Sequence, residues 1–157
     1  MSINLNLVIY QREGDDLVEE DLRTARCEEI SPSLLDAITE KFLLQEGRVY
    51  FDRTKEDFFE IEYFARPDIP KIINMLENLF RDLIRHEYAL LNIGSDKQAG
   101  QLKDSTLIIS NIFPGQAELD PTLMTIGRFR ILISIIDIFT EMQTKFLDEP
   151  GAFLKLG

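Results

Sequence analysis

The sequence predicts an α+β fold: a small antiparallel sheet packed against two long helices and one shorter helix. Three observations predict it. Residues 3–10 alternate with the period of a strand; two short β-prone runs flank a turn-like tetrapeptide; and three segments open on a capping residue closely followed by proline, then continue at helical spacing. With 157 residues and 45% hydrophobic content, the chain has the size of one domain, residues 1–157, and can bury a core without staples.

Taking the elements in order, Ile3, Leu5, Leu7 and Ile9 alternate with Asn4, Asn6, Val8 and Tyr10, which predicts a strand with one buried face. The stretch Glu13–Glu29 shows only a thin apolar rhythm at Val18, Leu22 and Ala25. It reads either as one side of an exposed helix or as an irregular arm. Ser31 then caps a helix with Pro32 in its first turn, and Leu34, Leu35, Ile38 and Phe42 carry it over about 31–46, to Gly47. Arg48–Arg53 and Phe58–Ala65 read as a hairpin around Thr54–Asp57. In that reading Val49, Phe51, Phe59, Ile61 and Tyr63 face the core with the first strand. Tyr10, Arg48, Tyr50, Asp52, Phe58, Glu60, Glu62 and Phe64 face away from it.

Asp68 caps a second helix with Pro70 in its first turn, ended by Gly94. Its apolar stripe is Ile69, Ile72, Ile73, Leu76, Leu79, Phe80, Leu83 and Ile84. Gly94–Gln101 reads as a loop and Thr106–Phe113 as a short apolar run, either a buried strand or a helical turn, with the strand preferred. Asp120-Pro121 repeats the cap signature for a last helix running towards Pro150-Gly151. Its polar residues Arg130, Ser134, Asp137, Glu141, Lys145 and Asp148 make a narrow stripe, which predicts a position at the centre of the core. The expected order is β, α, β, β, α, β, α.

Charge bounds the function. The chain carries 28 acidic and 17 basic residues, net −11, and residues 1–66 alone hold 16 acidic against 8 basic. Within Glu13–Glu29, eight carboxylates face only Arg23 and Arg26. Such a field repels phosphates and anionic lipid and attracts a basic protein, so neither nucleic acid nor membrane is expected as a direct partner. The longest apolar run, Ile131–Phe139, is broken by Asp137 and falls far short of the roughly 20 residues that span a bilayer. The opening MSINLNLVIYQ lacks the cationic start and continuous apolar stretch of a signal peptide. A single cysteine, Cys27, precludes an internal disulfide, and no Asn-x-Ser/Thr site occurs; both suit a reducing, cytoplasmic setting.

No motif names a chemistry. The glycines match neither phosphate-cradling spacing nor a nucleophile elbow. One histidine, His86, and one cysteine cannot build a zinc tetrad, and the acidic stretch lacks the order of an EF-hand loop. The carboxylates beside Cys27 disfavour its thiolate. Asp52, Glu60 and Glu62 raise a glycosidase-like pair across the hairpin, but outward acids on a half-buried sheet are usually a solvated face. No cofactor is implied.

What remains is a surface of aromatics among acids, a docking face for a basic protein. In size and composition the chain resembles the immunity proteins that bacteria make against their own nuclease toxins, which are small, acidic and free of catalytic motifs. That resemblance implies a binding module, not an enzyme, that neutralises a basic partner by occluding its cationic cleft. It carries no residue over. From the residues themselves, the expected contacts are Asp15, Asp16, Glu19, Glu20, Glu60 and Glu62, with Tyr10 and Tyr50 as packing anchors. Three alternatives stay open: a secretion chaperone for an effector, a small acid/base enzyme using His86, and a subunit that buries its aromatics in a homo-oligomer.

Overall fold

The computed structural model describes residues 2–91 and 121–157. Five strands form a closed barrel in the order β1-β2-β3-β4-β5: β1 is Ile3–Glu13, β2 Asp16–Ile30, β3 Leu44–Tyr50, β4 Phe58–Phe64 and β5 Ala152–Leu156. Among the described residues three α-helices accompany it: α1, Pro32–Thr39; α2, Ile69–Leu91; and α3, Pro121–Lys145. The expected open antiparallel sheet is therefore corrected. The sheet closes on itself, and β2 meets β3 in parallel.

The acidic stretch is neither helix nor arm. It is β2, folded back on β1 from Glu13↔Asp16 to Ile3↔Ile30 around the two-residue loop Gly14-Asp15. Gly14 takes φ +67, the left-handed first position that a type II′ hairpin turn requires. The register shifts between Leu7 and Val8 and between Ile9 and Gln11, and Asp21 adopts a left-handed φ of 68 where β2 carries extra residues. Bulges of this kind break the period of two, which is why the apolar rhythm of β2 could not be read as a strand.

Closure also buries both faces of β1. Leu5, Leu7 and Ile9 pack beneath the helices with Phe64, Ala152 and Leu154, while Val8 and Tyr10 point into the barrel with Leu17, Val49 and Ile61. Tyr10 and Phe64, expected outside, are thus interior. Phe51, expected inside, lies beyond the end of β3 and is half exposed.

Helix α1 is shorter than expected. Its Ser31 cap accepts from the Leu34 amide, and Leu34, Leu35 and Ile38 are buried as their spacing requires. The helix yields after Thr39, whose hydroxyl donates back to the Leu35 and Asp36 carbonyls, a bond that weakens helix ends. All seven residues of β3 then pair with β4, so strand pairing overrides the helical reading of 44–46. Gly47, expected to stop the helix, sits within β3 beneath the Tyr63 ring.

Helices α2 and α3 close the core over the barrel. The α2 stripe is buried at Ile69, Ile72, Ile73, Leu76 and Leu83, although Ile84 is exposed. Helix α3 buries Leu132, Ile135, Ile138, Phe139 and Met142, and Phe139 meets Phe64 edge-on with ring centroids 5.2 Å apart. Arg130, Ile133 and Asp137 are exposed, so α3 lies on the barrel with a solvent face and is not central. Beyond it, β5 pairs with β1 from Leu5↔Leu156 to Ile9↔Ala152. No element was expected there, although Ala152, Leu154 and Leu156 alternate.

Arg66 fixes this last connection. Its guanidinium donates to the carbonyls of Phe146, Leu147, Glu149 and Ala152, capping the end of α3 and the turn into β5. The Gly94–Gln101 loop, the Thr106–Phe113 strand and the Asp120 cap lie outside the described residues. Among the described residues no helix is long and apolar enough to cross a membrane.

Candidate protein-binding face

One end of the barrel gathers the β1–β2 tip, the middle of the β3–β4 hairpin and the start of β5. Between them lies an open cleft of about 590 Å³, lined by Arg12, Asp15, Asp16, Glu46, Arg48, Tyr50 and Glu60 over a floor that includes Leu17, Tyr63 and Phe153. Four residues singled out from the sequence, Asp15, Asp16, Tyr50 and Glu60, therefore share one site. Asp15 in the β1–β2 loop and Asp16 at the start of β2 stand at the hairpin tip, and the outward face of β3 and β4 supplies the others.

The remaining four are placed elsewhere. Glu62 opposes Glu46 across the hairpin and lines a neighbouring cleft of about 470 Å³ with Lys155. Glu20 lies 3.2 Å from Arg53. Tyr10 is buried in the barrel, which rules it out as a surface anchor. Burial first, and then the charge of half-buried Glu19, push its phenol up to about 12.

The acidic hairpin is also less bare than its sequence suggests. From the β3–β4 turn, Arg53 reaches Glu13 at 3.4 Å and Asp21 at 3.7 Å as well as Glu20, and donates to the Gln11 side chain at 3.2 Å. Lys55 meets Asp16 at 2.7 Å. Asp52 organises this turn: its carboxylate accepts from the Thr54 hydroxyl and, at 2.8 Å, from the Thr54 amide, and these bonds hold its pKa below the usual range. Because β3 ends at Tyr50, Asp52 does not stand across the hairpin from Glu60, whose partner is Arg48. The glycosidase-like pairing is not formed.

Asp15 and Glu60 make no ion pair within 4.0 Å among the described residues, so their charge is available to a partner. Beside them the hairpin bears a strip of aromatic surface. Tyr50 meets Phe58 edge-on at 6.2 Å, the Arg48 guanidinium lies 4.2 Å from the Phe58 ring centroid, and Phe51 and Phe58 are 50% and 46% exposed. Exposed rings rimmed by charge form the anatomy of a protein interface.

Arg48 stands on the outward hairpin face as expected, but sequence reasoning missed Arg12, Arg53 and Lys55 as members of this face. Single basic residues near turns have no spacing signature; only the pairing of the two hairpins brings them to the carboxylates. His86 lies on α2 and lines none of these clefts, and Cys27 is exposed on β2. A further cleft, about 810 Å³ between α1 and α2, is floored by Phe42, Met75 and Leu79 and is separate from the acidic face. Among the described residues no group of three or more His, Cys, Asp and Glu is placed to hold a metal ion. Compared with family models, with characterised proteins and with solved structures, the chain matches none.

Proposed function

We propose that this protein is an acidic binding module that captures and neutralises a basic protein in the cytoplasm, in the manner of an immunity protein occluding a toxin's active-site cleft. The observation that carries the reading is the convergence of Asp15, Asp16, Tyr50 and Glu60 on one cleft beside exposed Phe51 and Phe58. The carboxylates attract and orient a cationic surface; the rings supply contact area that loses little entropy on binding. Tyr50, half-buried and braced by Phe58, is the packing anchor.

The test is retention of a protein from native lysate by the wild type and by a variant with Asp15→Asn and Glu60→Gln, followed by an activity assay of the retained protein. Expected is one basic protein, released by salt, whose activity the wild type abolishes and the variant spares. Equal inhibition by both forms would refute this face as the recognition surface. Retention of an extended segment with activity intact would replace neutralisation by a chaperone role.

A further inference from the structure

The barrel's seams differ in strength. β1 pairs with β2 almost throughout, and β3 pairs with β4 at all seven of its residues, but β2 and β3 pair only at Leu17↔Val49 and Val18↔Tyr50. Side chains make up what the backbone lacks there. Arg53 and Lys55 reach from the turn between Tyr50 and Phe58 to Glu13, Asp16, Glu20 and Asp21 on the other hairpin. Asp52 and the left-handed Lys55, at φ 57, shape that turn so that both cations face the same hairpin.

We propose that the β2–β3 seam is an electrostatic latch: Arg53 and Lys55 hold the β3–β4 turn onto the β1–β2 hairpin, and the seam opens as a unit when those cations are drawn away. All four ion pairs are partly exposed, so salt screens them, whereas hydrogen-bonded hairpins on either side are indifferent to it. Opening bares Leu17, Val18 and Val49, which are otherwise buried, and frees Asp16 and Glu20 for other cations. The β4–β5 seam is a built-in comparison. It has a single backbone pair, Tyr63↔Lys155, but is braced by the apolar Tyr63–Phe153 contact, with centroids 4.9 Å apart. The latch does not depend on the capture reading, and no partner enters its test.

Hydrogen exchange read by fragment tests it on the full chain in low and high salt, with no added ligand. One variant carries Arg53→Gln and Lys55→Gln; another, Lys41→Gln and Arg81→Gln, makes the same charge change away from the seam. In the wild type, high salt should speed exchange of the amides around 17–20 and 48–52 about tenfold, with β1 and β5 unchanged. The Arg53/Lys55 variant should exchange as fast in low salt and respond little to more, and the Lys41/Arg81 variant should match the wild type. Seam exchange indifferent to salt and to the Arg53/Lys55 change overturns the latch. So does equal acceleration in every strand, which reports global unfolding, or an equal effect of the two double variants, which reports net charge alone.

Discussion

Removing Arg66 tests the most concentrated hydrogen bonding in the structure. In Arg66→Ala, four carbonyls between Phe146 and Ala152 lose their donor. The bonds to Leu147 and Glu149 are exposed, so those carbonyls rehydrate and contribute little. The bonds to Phe146 and Ala152 are partly buried, each worth roughly 1–1.5 kcal/mol as a charge-assisted bond with incomplete replacement by water. Part of that gain is already offset: burial, and then the nearby charge of Arg12, push the Arg66 pKa down, a sign that the cation is held at some cost. The net expected loss is about 2 kcal/mol, a fall in Tm of about 4–8 °C for a domain of this size. Urea unfolding should show a lower midpoint at constant slope. Arg66→Lys should recover no more than about half of the loss, because a point ammonium cannot span carbonyls that the guanidinium fork bridges. An Arg66→Ala midpoint equal to wild type, or full recovery by lysine, would refute the clamp.

Other expectations follow from single contacts. In Gly151→Ala the added Cβ would stand 2.1 Å from the Tyr10 carbonyl oxygen, so β5 must shift from β1; thermal melts should show a loss of about 2–4 kcal/mol. Phe139→Ala, emptying a fully buried site against Phe64, should cost about 3–5 kcal/mol in urea unfolding. The Tyr10 hydroxyl is buried without a hydrogen-bond partner among the described residues, so Tyr10→Phe should leave stability unchanged or raise it by up to about 1 kcal/mol. Its raised pKa means the fold favours the protonated phenol: that contribution is complete below pH 10 and lost as pH rises towards 12, and Tyr10→Phe should flatten alkaline unfolding in that window. On the acid side, Lys145, opposed in part by burial and aided by Arg26, holds the Glu141 carboxyl below its usual range. Its contribution is present above about pH 4 and lost as pH falls through the depressed folded value, so Glu141→Gln should reduce the difference between urea midpoints at neutral and acid pH.

Much of this fold was legible locally. The alternation in β1, the Ser31 cap, the first-turn prolines Pro32 and Pro70 and most of the α2 stripe are consequences of chain geometry within a few residues, and they appear where expected. Asp68, expected to cap α2, instead belongs to the 3-10 turn Arg66–Asp68 that runs into the helix, and its carboxylate pairs with Lys71. Strand β2 was hidden because its bulges shift the pattern and its outer face is charged. The α1 boundary was misplaced because pairing of β3 with β4, a contact between distant residues, outweighed the helical spacing of Phe42. The candidate site was half legible. Asp15, Asp16, Tyr50 and Glu60 converge, but Tyr10 turned inward because a closed barrel has an interior face that an open sheet lacks.

The sequence by itself determined the acidity of the first third, the identity of most helices and the apolar faces they bury, because periodicity and charge are written residue by residue. Only the tertiary structure decided that the sheet closes, that Arg66 ties α3 to β5, and that Arg53 and Lys55 neutralise part of the acidic hairpin. Each of these depends on residues tens of positions apart meeting at a few ångströms, a relation that local spacing does not encode.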